Sequence, residues 1–74
     1  MECLKISLAA ARVNVKMTQE DVAREIRVSK QTVVNWEKGK IIPSFATLQA
    51  LSALYHIPMN NIFLPTESTL SENK

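Results

Sequence analysis

The sequence predicts an all-α domain of five short helices, and three observations predict it. Apolar residues recur at helical spacing along most of the chain. Hydroxyl residues stand where helices would begin, and no alternating apolar–polar run is long enough to suggest a sheet. Leu4, Leu8, Ala11 and Val15 share one face, which places helix one at about residues 4–14. Thr18 opens helix two. Its hydroxyl suits an N-cap, and Glu20 and Asp21 favour the positive helix end. Val22, Ala23 and Ile26 form the inward face of that helix. Ser29 caps helix three, Val33 and Trp36 form its buried stripe, and Gly39, the only glycine, stands at its C-cap. Pro43-Ser44 starts helix four, with Phe45, Leu48, Leu51 and Tyr55 predicted on one face. Ile57-Pro58 breaks the pattern, and a short fifth helix is expected from Pro58 to Phe63.

Seventy-four residues suffice for one domain with a thin core, so a second copy or a partner would add stability. Residues 1–64 are expected to form that domain, and residues 65–74, which lack periodicity, a flexible polar tail. A chain 46% hydrophobic and 22% charged belongs with folded rather than disordered sequences. A single cysteine, Cys3, makes no internal disulfide and has no His or Cys at metal-ligand spacing. No charged leader precedes an apolar stretch, and no run reaches the roughly eighteen apolar residues of a membrane span. A cytoplasmic location is therefore expected, with no membrane partner.

The net charge of +2 is uninformative, but its distribution is not. Arg27, Lys30, Lys38 and Lys40 cluster around helix three, opposed there only by Glu37. From Ile41 to Leu64 no residue is charged. Two short capped helices joined by a tight break, with basic and amide side chains on the second, describe a helix-turn-helix. Small Ala23 sits where the two helices must approach closely. With Val33 and Trp36 turned inward, helix three shows Lys30, Gln31, Val34, Asn35 and Lys38 outward. That set suits a DNA major groove. Lys donates to guanine O6 or N7, Gln and Asn pair with adenine, and an aliphatic side chain meets a thymine methyl.

The segment MTQEDVAREIRVSKQTVVNWEKGKIIPSFATLQALSALYHIPMNNIF resembles the Cro/phage-repressor (Xre-like) helix-turn-helix family. The matching pieces are Thr18-Gln19-Glu20, Ala23, Val28-Ser29, the run Val33 to Gly39 through Trp36-Glu37, Pro43-Ser44, and Ile57, Met59 and Ile62. The resemblance covers residues 4 to 64 and implies a repressor-like fold. By position it implies base contacts from Lys30, Gln31 and Asn35, with Val34 beside them. Phosphate contacts are implied for Gln19, Lys38, Lys40 and the backbone amides after Gly39. Thr18, Ser29 and Arg27 are expected to join them. Arg12 and Glu37 match an ion pair tying helix one to the end of helix three. Lys16, Arg27 and His56 depart from the pattern, since relatives often carry glycine there. Arg27 stands at the turn, where a positive φ costs a non-glycine residue about 1 kcal/mol. Pro58 replaces a capping Ser or Asp.

Several residues have plainer readings. Trp36 is a core residue, and Met17, Met59 and Cys3 are packing residues. His56 lacks an acidic or cysteine partner and gains only from the helix dipole. Nothing forms a nucleophile–base–orienter set, a phosphate-binding glycine loop or a metal cluster. An enzyme, a cofactor, a metal and a small-molecule ligand are thus not expected. Leu54, Met59, Phe63 and Leu64 exceed the needs of so small a core. They are expected to form a homodimer interface that sets two recognition helices about 34 Å apart on a palindromic operator. The leading expectation is a bacterial or phage transcriptional repressor binding double-stranded DNA. The rival is a protein-interaction adaptor or antitoxin-type regulator whose apolar C-terminal half docks a protein partner.

Overall fold

Hydroxyl side chains open all four α-helices of the computed structural model, which describes residues 5–64. They cap α1 (Leu8–Asn14), α2 (Gln19–Ile26), α3 (Lys30–Lys38) and α4 (Phe45–Tyr55). The oxygens of Ser7, Thr18, Ser29 and Ser44 accept from the amides of Ala10, Asp21, Thr32 and Thr47 at 3.0, 3.0, 3.1 and 3.2 Å. Each satisfies an amide that the helix itself leaves without an acceptor. At α2 the exchange is reciprocal, because the Thr18 amide donates to Asp21 Oδ2 at 2.9 Å. Asp21 is accordingly held below the usual carboxylate range, chiefly by hydrogen bonds from Thr18.

The helix ends turn sharply. Arg27, Gly39 and His56 close α2, α3 and α4 in the left-handed conformation, with φ of 68°, 80° and 56°. Lys16, just past α1, adopts it as well at 62°. Only Gly39 does so without a steric penalty from a Cβ. His56 stands as the cap just beyond Tyr55, the last residue of α4.

Two expectations need correction. Helix one starts at Leu8, not near residue 4, because Ile6–Ser7 is extended and forms strand β1. The fifth helix is only a 3-10 turn, Met59–Asn61, which runs directly into strand β2, Ile62–Phe63. The strands pair in parallel, Ile6 with Ile62 and Ser7 with Phe63. After Pro58 too few residues remain before this pairing for a regular helix to propagate. The domain is thus mostly helical, with four α-helices and one small strand pair among the described residues. Leu4, Cys3 and the tail at 65–74 lie outside them.

Leu8, Ala11, Val22, Ala23, Val33, Trp36, Leu51, Tyr55 and Ile62 form the core, so every α-helix and β2 contribute to it. Val15, Met17, Ile26, Val28, Leu48 and Ile57 pack around its edge. Burying these side chains at about 25 cal/mol per Å² of apolar surface supplies the main drive to fold. Phe45 is a further correction: it is 69% exposed rather than inward. On a 3.6-residue turn, Leu48, Leu51 and Tyr55 cluster on one side, while Phe45 lies roughly a quarter-turn away. No helix among the described residues is long and apolar enough to cross a membrane.

Candidate nucleic-acid interface

The main helix–helix contact of the domain is between α2 and α3. Ala23, 7% exposed, has no side chain beyond Cβ to hold the helices apart, and Val22 on α2 and Val33 on α3 are fully buried. Arg27 turns the chain between them, and the Val28 amide donates back to the Ala23 carbonyl at 2.9 Å. The geometry is that of two helices held rigidly by apolar packing, which fixes where the outer face of α3 points.

With Val33 and Trp36 buried, Lys30, Gln31 and Lys38 are exposed, and Val34 and Asn35 are half-buried beside them. Gln31 Nε2 donates to Asn35 Oδ1 at 3.1 Å, one helical turn along. Lys30 Nζ lies 3.4 Å from Glu20 Oε2 on α2. The outer face therefore contains one amide pair and one ion pair. The sequence indicated the residues but not these contacts.

Beneath α3, Glu37 is a junction. Its carboxylate accepts from Arg12 Nε at 2.7 Å, from Arg12 Nη2 at 3.4 Å and from Gln19 Nε2 at 2.9 Å. Arg12 also donates through Nη1 to the Met17 carbonyl at 2.9 Å. Charge-assisted bonds of this kind favour the ionised forms, and the hydrogen bond with Glu37 raises the Arg12 pKa above its ordinary value. Tyr55 lies within the field of this pair. Burial, reinforced by Glu37 and opposed by Arg12, pushes its hydroxyl up to about 12. Gln19, for which the resemblance implies a phosphate contact, donates here to the Glu37 carboxylate. A side-chain amide carries two N–H donors, and the bond to Glu37 uses one of them.

The segment after α3 is closed on itself. The amides of Lys40 and Ile41 both donate to the Asn35 carbonyl, at 2.9 and 3.3 Å. Those two amides finish the helix, and the Lys38 and Lys40 side chains beside them are exposed. Thr18 and Ser29 spend their hydroxyl oxygens as caps, and each remains exposed at its helix start. The exposed Arg27 side chain lies at the turn. Ile41, Ile42 and Phe45 follow as exposed apolar side chains. At the opposite end of the sequence pattern, Leu54 and Leu64 are partly buried against the core, Met59 is half-buried, and Phe63 is 41% exposed.

The Helix-turn-helix family model matches residues 8–62. The chain belongs to the Cro/phage-repressor helix-turn-helix family. Among relatives of this helix-turn-helix chain, an uncharacterised HTH-type transcriptional regulator from Archaeoglobus fulgidus is 32% identical over 63 residues. That match covers 85% of this chain and 89% of the relative. A second uncharacterised regulator, from Methanocaldococcus jannaschii, is 33% identical and covers 82% and 92%. A cryptic phage CTXphi transcriptional repressor from Vibrio cholerae is also 33% identical, covering 82% of this chain and 55% of the repressor. No solved structure matches the chain. Among the described residues no group of three His, Cys, Asp or Glu stands ready to hold a metal.

Proposed function

We propose that this chain is a sequence-specific, double-stranded-DNA-binding transcriptional regulator that acts in the cytoplasm as a homodimeric repressor on a palindromic operator. The observation that carries this reading is the outer face of α3. Lys30, Gln31, Val34 and Asn35 lie together there while Val33 and Trp36 fix the helix from behind. Residues 1–64 act as the binding domain. Lys30, Gln31, Val34 and Asn35 read bases, and Thr18, Gln19, Arg27, Ser29, Lys38 and Lys40 hold the phosphates. Leu54, Met59, Phe63 and Leu64 join two copies. Its likeness to a phage repressor supports the repressor sense.

Selection of bound duplexes from a random pool tests this reading. It should return a two-fold-symmetric site with half-sites about 10 base pairs apart, centre to centre. Recovery of no preferred sequence would count against the reading. A second reading, an adaptor or antitoxin-type regulator, is favoured by the exposed Ile41, Ile42 and Phe45. An adaptor would bind random duplex no better than a neutral surface does, whatever the salt.

A further inference from the structure

We infer that Glu20 is a specificity-determining residue that acts through Lys30. The inference rests on the DNA-binding reading above. Glu20 lies in the first turn of α2, and its carboxylate lies 3.4 Å from the Lys30 ammonium at the start of α3. Both side chains are more than half exposed, so core packing does not require the pair. It sits on the face proposed to meet DNA, where an acidic group opposes the phosphate attraction that drives non-specific binding.

The two kinds of DNA acceptor respond to this carboxylate differently. A phosphate is an anion, so Lys30 can take one only by leaving Glu20 or by bringing two anions together, which is costly. Guanine O6 and N7 are neutral acceptors. An ammonium group has three N–H donors, so Lys30 can keep Glu20 and still donate to a base edge. Glu20 thereby bars Lys30 from serving as a general phosphate clamp and keeps it available in the groove. Its effect falls mainly on random DNA, and specificity is the ratio of the two affinities.

Duplexes recovered from a random pool by the unmodified protein, and a scrambled duplex of the same length, provide the probes. Both are titrated over a range of salt with the unmodified protein, Glu20→Gln, Glu20→Asp, Lys30→Gln and the Glu20→Gln/Lys30→Gln pair. Glu20→Gln should bind the scrambled duplex roughly fivefold tighter at low salt. The salt slope on that duplex should steepen by about 0.9, one additional phosphate. The recovered duplex gains less, so the affinity ratio falls. Glu20→Asp keeps the charge but has a shorter reach, and should lower the ratio in part. In the Lys30→Gln background, Glu20→Gln should leave the ratio unchanged. Equal gains on both duplexes, or an undiminished effect without Lys30, would overturn the inference, since Glu20 would then act as a free charge. Failure of the unmodified protein to bind any duplex would instead remove the DNA-binding reading, and this inference with it.

Discussion

Arg12 Nε donates to Glu37 Oε2 at 2.7 Å, joining α1 to the last turn of the helix that carries the candidate base-reading face. The two side chains are only 15% and 8% exposed. Replacing Arg12 by Met strands the Glu37 carboxylate with only Gln19 as a side-chain donor. The expected cost is about 1.5–3 kcal/mol, read from the urea unfolding midpoint. Adding Glu37→Leu should recover part of the loss, because the stranded charge is removed.

Arg27, Lys16 and His56 hold left-handed backbone without being glycine. Each Gly replacement relieves a strain of about 1 kcal/mol and loses some of that to a more flexible unfolded chain. Lys16→Gly and His56→Gly should raise Tm and leave duplex affinity unaltered. Arg27→Gly should raise Tm too, yet weaken binding to all sequences alike if its side chain reaches a phosphate. Thermal melts and duplex titrations of the three variants check this.

Gln31 and Asn35 share a hydrogen bond on the proposed base-reading face. Replacing either by Ala should cost about 1–3 kcal/mol on the selected duplex. The double replacement should cost less than the sum, because each single change also frees the other amide. Additive losses would show that the two amides act independently, and equal losses on scrambled DNA would remove both residues from base reading.

Tyr55, the only tyrosine, has its ordinary value of 10 pushed up to about 12. The folded state holds this proton more tightly than the unfolded state does. The stabilisation is therefore complete below pH 10 and is lost as pH rises towards about 12. Ultraviolet titration of tyrosinate should show the delayed ionisation, and Tyr55→Phe should flatten the alkaline stability slope.

The helix-turn-helix was legible because its determinants are local. Thr18, Ser29 and Gly39 announce helix boundaries, and Val22, Val33 and Trp36 mark the inward faces by spacing alone. Burial of Val22, Val33 and Trp36 follows from that periodicity. Phe45 was misread because four apolar residues near helical spacing do not all fall on one narrow stripe. The strand pair was not legible at all. Ile6 and Ile62 meet through tertiary contact, and two residues per strand leave no alternation to detect. The Gln19–Glu37 and Glu20–Lys30 contacts were hidden for the same reason, since both join separate helices.

The pairing of Ile6 with Ile62 bears on how fast the protein comes apart. It closes a loop that spans nearly the whole described chain, and loops of that length are the last to repay their entropy. The helices and their neighbouring turns can assemble first, with the two ends clasped afterwards. Ile62→Ala should therefore hasten unfolding and leave the refolding rate nearly unchanged in stopped-flow measurements. The clasp would then act as a brake on escape from the native state, and the lifetime of the folded domain would depend on two short strands distant from α3 in sequence.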